Sequence, residues 1–194
     1  MKKVLILVIG ICLVMPRGAN AEEESWFTYW ALGWAPMVDG PGSYNSNMDE
    51  LAELDGFSRI SICLDMLGFY FAVDASPNLI VGGVINATGD RISDGSEHIQ
   101  LNLYLMGPSV MYFLGDHAGE GAFVRADAGL AVGVVTSSGA DDESSDPGFG
   151  GLIGVGYGIP VGEGSRLLLG ANLTRMSIED NGWGSLGLTI GGLF

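Results

Sequence analysis

The chain has 194 residues, of which 47% are hydrophobic and only 16% charged, with 23 acidic residues against 8 basic ones and a formal net charge of −15. Lys2, Lys3 and Arg17 all fall in the first 21 residues, so the remainder holds five arginines and no lysine. That balance excludes nucleic acid as a partner, because phosphate binding needs clustered Lys and Arg to displace counterions.

At the amino terminus, Lys2 and Lys3 precede an uncharged apolar run from Val4 to Met15, followed by Pro16, Arg17 and the small-residue triplet Ala19, Asn20, Ala21. The pattern predicts a secretory signal peptide over residues 1–21, cleaved before Glu22. Its apolar run is about a dozen residues, short of the roughly 20 that a membrane-crossing helix needs. A lipoprotein signal fits poorly, since Ile11 and not a small residue precedes Cys12. Residues 22–194 then form one domain in which Cys63 is alone, so no internal disulfide is expected even in an oxidising compartment.

This body reads as eight alternating segments punctuated by Gly, Asp, Asn, Ser and Pro, the pattern of successive antiparallel strands. The first, residues 26–37, is aromatic-rich, with Trp30, Leu32 and Trp34 assigned to the outer face. A long connection over residues 38–58 follows, in which residues 47–54 predict a helix of one or two turns, capped by Asn47 with Glu50 three residues on. In the second segment, 59–74, Ile60, Ile62, Leu64 and Met66 oppose Arg59, Ser61, Cys63 and Asp65; the third spans 79–88. The fourth begins near Glu97 and sets Ile99, Leu101, Leu103 and Leu105 against His98, Gln100, Asn102 and Tyr104, with a bulge or strand end expected at Pro108.

Period two is clearest in the carboxy-terminal half. Residues 122–136 put Val124, Ala126, Ala128, Leu130, Val132 and Val134 opposite Arg125, Asp127, Gly129 and Gly133. Residues 149–161 put Ile153, Val155, Tyr157 and Ile159 opposite a face rich in glycine. In residues 166–177, Leu167, Leu169, Ala171 and Leu173 oppose Leu168, Gly170, Asn172 and Thr174. The last segment, 183–194, aligns Leu186, Leu188, Ile190 and Phe194 against Ser185, Gly187, Thr189 and Gly191. Long connections at 38–58 and 137–147 alternate with tight ones at 76–78 and 162–165, as in barrels whose long loops face outward and whose turns face the periplasm.

The two faces decide between a soluble and a membrane barrel. A soluble one would carry many Lys and Glu on its watered side, whereas here the polar face is Gly, Ser, Thr and Asn with one or two charges per strand. Such a face suits a narrow lumen, and the Leu, Val and Ile face suits an apolar band of roughly 25 Å. In hydrocarbon the sheet must close, because an open edge leaves backbone groups unpaired. The expected fold is therefore all-β: an eight-stranded antiparallel up-and-down transmembrane β-barrel, with an interior at this strand number just wide enough for side chains. Arg59, Asp65, Arg125 and Asp127 are then placed inside, where isolated charges are costly, and are expected to form one ion-pair network.

With its signal peptide, alternating strands, the run Gly154, Val155, Gly156, Tyr157, Gly158 and the terminal Phe194, the chain resembles the small eight-stranded outer-membrane barrels of the OmpA transmembrane-domain kind. The resemblance covers the whole of residues 22–194, with no peptidoglycan-binding domain after it. It implies residence in the bacterial outer membrane as a monomer, among outer-membrane lipid and lipopolysaccharide. It further implies that Phe194, Ile190 and Leu188 serve as the signal read by the barrel assembly machinery.

Three chemistries stand beside a structural or surface-interaction role without cofactor. Ser96 and His98 share a strand face and could make a nucleophile and base of a lipid-A-modifying enzyme, although the His-x-Ser pair followed by Asn of barrel deacylases is missing. Asp141, Asp142, Glu143 and Asp146 cluster in one loop with oxygens suited to Ca²⁺, but lack a glycine-centred binding-loop pattern. A narrow pore is opposed by bulky residues placed in the lumen, Tyr104 and Phe123. The residues favour a non-enzymatic barrel displaying acidic loops, with the loop from Asp39 to Ser58 as its contact surface.

Overall fold

The structure is a computed structural model that describes residues 26–162 and 164–194, so the expected signal peptide lies outside the described residues. Its elements are β1 (Trp26–Trp34), β2 (Met37–Asp39), α1 (Tyr44–Ala52), β3 (Ser58–Val73), β4 (Ser76–Ser93), β5 (His98–Phe113), β6 (Gly121–Ser137), β7 (Glu143–Ser144), β8 (Gly148–Gly162), β9 (Ser165–Ile178) and β10 (Asn181–Leu193). Strands β1 and β2 are two parts of one wall, since both pair with β10, through Trp34 with Leu188 and Met37 with Ser185. Pro36 sits at the break and has no N–H to give to a ladder.

Each long strand pairs with its neighbours in the chain, and β1 pairs with both β3 and β10, which closes an antiparallel barrel of eight walls. Followed once round from Trp26 through Phe71, Val81, Val110, Ala126, Ile153, Leu173 and Leu186, the register returns to the first wall at Pro36, ten residues further along. A stagger of this kind requires strands tilted at roughly 35–45° to the barrel axis. No described helix is long and apolar enough to cross a membrane.

Outside, the apolar face is bare. Trp34 is 59% exposed, Phe149 74% and Ile153 63%, with Phe71, Val155, Leu188 and Ile190 exposed alongside them. A continuous surface of this kind is not left to water by a soluble protein. Of the assigned outer positions of β1, Leu32 and Trp34 are exposed and Trp30 is half-buried.

Local chemistry accounts for the departures from the expected elements. Strand β3 carries a bulge: its register against β4 shifts between Met66 and Phe69, and Leu67 sits at φ 50°. The extra residue keeps Phe69 and Phe71 outside, where strict alternation from Asp65 would turn them inward. Pro108 does not end or bulge β5. Its pairing with β4 runs unbroken through Gly83, and on the β6 side only the pairs of Gly107 and Pro108 drop out, with the register kept. Helix α1 starts at Tyr44, before the expected Asn47, and its N-cap Ser43 makes no side-chain capping bond. Strand β4 runs 18 residues and extends beyond residues 79–88 at both ends.

The largest correction concerns the facing of β5. Leu101, Leu103 and Leu105 are buried and pack with Ala131, Leu152, Met176 and Ile178 inside the barrel, so Gln100, Asn102 and Tyr104 stand on the outer face. Tyr104 is thus not a lumen residue, whereas Phe123 is. Alternation establishes two faces but not which of them points in, and the upper β5 leucines find apolar partners only inside.

Candidate functional site

The interior has three zones. At the end of the barrel that holds Phe27 and Leu193, Tyr70, Ile80, Phe113, Phe123 and Leu168 belong with them to one apolar cluster. Glycine makes room for it: a Cβ at Gly156 would stand 2.5 Å from the Phe123 ring.

Above this cluster lies the charged zone. Arg125 and Asp127 are two residues apart on β6 and therefore share its inner face. The Arg125 guanidinium donates to Asp65 at 2.6 Å through Nη1 and to Asp127 at 2.6 Å through Nη2, and its Nε also reaches Asp127 at 3.0 Å. Tyr29 donates to Asp65 at 2.9 Å, Asn86 donates to Asp65 at 2.9 Å, and Ser109 donates to Asp127. One cation thus serves two carboxylates, each holding further hydrogen bonds, as buried charges require. Asn86 Oδ1 has no hydrogen-bond partner among the described residues.

Of the four residues expected in one network, the structure brings Arg125, Asp65 and Asp127 together and sets Arg59 apart. Arg59 and Asp65 are six positions apart along β3, roughly 20 Å of extended strand. Arg59 instead donates to Asp90 of β4 at 2.6 Å and to Asp49 of α1 at 2.6 Å. The sequence pattern ends the third segment at Thr88 and so stops short of Asp90, although Asp90 continues the inward parity of Asn86 and Thr88.

The third zone is the mouth, where Leu101, Leu103, Met176 and Ile178 form an apolar layer with Trp183 and Tyr44 packed against it. Tyr44 meets the Trp183 ring edge-on at 5.2 Å and donates its hydroxyl to Asp90 at 2.9 Å. Burial first, and then the Asp90 carboxylate, push the Tyr44 phenol well above its ordinary range. With Arg59 joining Asp90 to Asp49, helix α1 is pinned across one side of the mouth by an aromatic contact and an ion pair.

The other candidate groups do not form the expected pairs. Ser96 lies in the β4–β5 turn and bonds Asp94, while His98 Nδ1 faces Ser138 Oγ at 2.8 Å, so Ser96 and His98 are not partners. Hydrogen bonds from the backbone of Glu97 and Ser96 hold the Asp94 carboxyl below its usual range. Asp141, Asp142, Glu143 and Asp146 are on the surface, and no cluster of three or more potential metal ligands forms among the described residues. Phe194 closes the ladder by exchanging backbone bonds with Thr28 at 2.9 and 3.0 Å, and Leu188 and Ile190 face outward on β10.

No protein-family model matches the chain, and no curated protein matches it in sequence. Solved structures do share its architecture. Ail, the attachment invasion locus protein of Yersinia pestis, in complex with the heparin analogue sucrose octasulfate, is 14% identical, with 88% of this chain and 99% of that one covered at a TM-score of 0.53. Neisserial surface protein A is 13% identical, with 90% and 98% covered at a TM-score of 0.57. By fold and by its bare apolar belt, the chain is a small eight-stranded β-barrel of the outer-membrane type.

Proposed function

We propose that the protein is a non-conducting outer-membrane scaffold whose work is done by its outward loops. The observation that carries this reading is the stacking of the interior: an apolar cluster, a fully paired Arg125 site and a second apolar layer succeed one another along the axis, with α1 fastened over part of the mouth. An eight-stranded barrel has room for side chains and little else. A loop held by Tyr44 and Arg59 is a fixed platform, the arrangement in which binding residues on loops work best.

The platform is acidic. Asp49, Glu50, Glu53 and Asp55 stand on the first loop and Asp141, Asp142, Glu143 and Asp146 on the third. A sulfated sugar such as the one bound to Ail would be repelled by these carboxylates, so that ligand class is not carried over. The protein acts without catalysis, as the separation of Ser96 from His98 supports. The exposed Leu188 and Ile190 with terminal Phe194 form the strand read by the barrel assembly machinery, and the assembled barrel is a monomer among outer-membrane lipid and lipopolysaccharide.

Planar-bilayer recording of the purified barrel tests the reading. No stepwise conductance is expected from the wild type. Stable single-channel steps would replace the scaffold with a pore.

A further inference from the structure

Helix α1 covers only one side of the mouth. On the other side β8 begins at Gly148, opposite Ala131, while β6 continues to Ser137, so the upper edge of β6 lacks its wall partner. The short strap β7 fills part of that gap by pairing at Val134 and Val135, and Ser145 accepts a hydrogen bond from the Gly133 backbone at 2.9 Å. Beneath the strap remains a half-open cavity of about 250 Å³, floored by Leu101, Leu103, Ile178 and Trp183.

Its rim is of one sign. Glu143 and Glu179 line the cavity, and no Lys, Arg or His is among the lining residues. Glu179 is held in place, since its turn adopts φ 50° at Glu179 and 62° at Asp180, and its Oε1 accepts the Asp146 N–H at 2.9 Å. An apolar floor with an aromatic ring, under a rim of carboxylates, matches an alkyl group bearing a positive charge. The volume lies below the roughly 300–1,000 Å³ common for drug-sized ligands, which limits the guest to a short or single-ring alkyl part.

From this geometry we infer that the uncovered half of the mouth is a binding site for a small free alkylammonium molecule, its hydrocarbon on the exposed Val135 and on Trp183 of the cavity wall and its ammonium between Glu143 and Glu179. The site stands on the cavity alone and does not depend on the non-conducting reading proposed above.

Calorimetric titration of the barrel in zwitterionic lipid nanodiscs, with empty nanodiscs as blank, tests it using cyclohexylammonium, cyclohexanol and cyclohexanecarboxylate, which share a ring and differ in charge. Cyclohexylammonium should bind best and the carboxylate should give no heat above the blank. Glu143→Gln and Glu179→Gln should each weaken the ammonium about threefold, the range of a solvent-exposed charge pair, and leave cyclohexanol unchanged. Gly133→Val should abolish binding of the ring compounds: Gly133 lines the cavity, its backbone is an ordinary strand, and an added Cβ meets Leu103 and Ser145 no closer than 3.6 Å, an ordinary contact. Equal binding of the three compounds, no heat from cyclohexylammonium above the blank, or ammonium binding that survives Gly133→Val in a folded, heat-modifiable barrel would each overturn the site.

Discussion

The belt and the mouth of this barrel are built from the same strands with their faces exchanged. Strand β9 shows the switch. Through the belt it turns Leu167, Leu169, Ala171 and Leu173 outward and Asn172 and Thr174 inward; two residues later Arg175 and Ser177 are outside, and Met176 and Ile178 are buried inside. Strand β5 does the same, with Ser109 inside the belt and Leu101 and Leu103 inside the mouth below an outer Gln100 and Asn102. Where lipid surrounds the wall the interior can be polar, because the apolar side chains already have an apolar solvent. Where water surrounds it, the interior must supply a hydrophobic core of its own.

The two regions should therefore fail differently. In the belt the interior depends on paired charge. Arg125→Met removes the cation shared by Asp65 and Asp127 and leaves two buried carboxylates facing each other across an apolar side chain. The expected loss is about 3–5 kcal/mol, the usual result of stripping one partner from a buried pair. Urea unfolding in lipid vesicles measures it. A loss below about 1 kcal/mol would mean that water reaches the site and that belt and mouth are less distinct than their side chains imply.

In the mouth the interior depends on packing. Leu103→Ala opens a hole between Ala131, Leu152 and Ile178 and should cost about 2–4 kcal/mol, as buried leucine truncations do. The same unfolding experiment sharpens the comparison: Leu103→Ala should match core truncations in soluble proteins, although the residue belongs to a membrane barrel. A cost under about 1 kcal/mol would place Leu103 against lipid and return the β5 facing to the one its alternation first suggested.

That facing marks the limit of what the residues alone reveal. The walls of the belt were legible because Gly, Asn and Thr alternate with Leu and Val, so Arg125, Asp127 and Asp65 could be assigned to the lumen from parity. In β5 both readings satisfy period two, and only the apolar partners from β6, β8 and β9 decide between them. The same parity puts Arg59 inside, but its height along β3 sets it far from Asp65, so its partners come from the mouth: Asp90 of β4 and Asp49 of α1. The bulge at Leu67 left no sign beyond a lapse in alternation. The contact of Tyr44 with Trp183 joins residues 139 positions apart, and local pattern says nothing at that range.

The smallest expected effect lies where α1 meets the mouth, and it depends on pH. The Tyr44 phenol is held above its ordinary pKa of about 10 by burial and by the Asp90 carboxylate that accepts its proton in a hydrogen bond. A raised value in the folded state means that the protonated tyrosine contributes its full stability below about pH 10, where the unfolded chain also keeps its proton. Above that pH the unfolded chain ionises first, so the contribution falls as pH rises toward the folded value. Tyr44→Phe should therefore cost about 1 kcal/mol at pH 8, with a faster protease cut in the loop over residues 40–57, and its difference from the wild type should shrink as the pH passes 10. Because the other tyrosines titrate equally in both proteins, only Tyr44 contributes to that difference. A gap near zero at pH 8 would show that α1 is held by the Arg59 ion pair and the Trp183 contact without help from the Tyr44 hydroxyl, and a gap that stays constant up to pH 11 would show that the phenol titrates alike in the folded and unfolded chains.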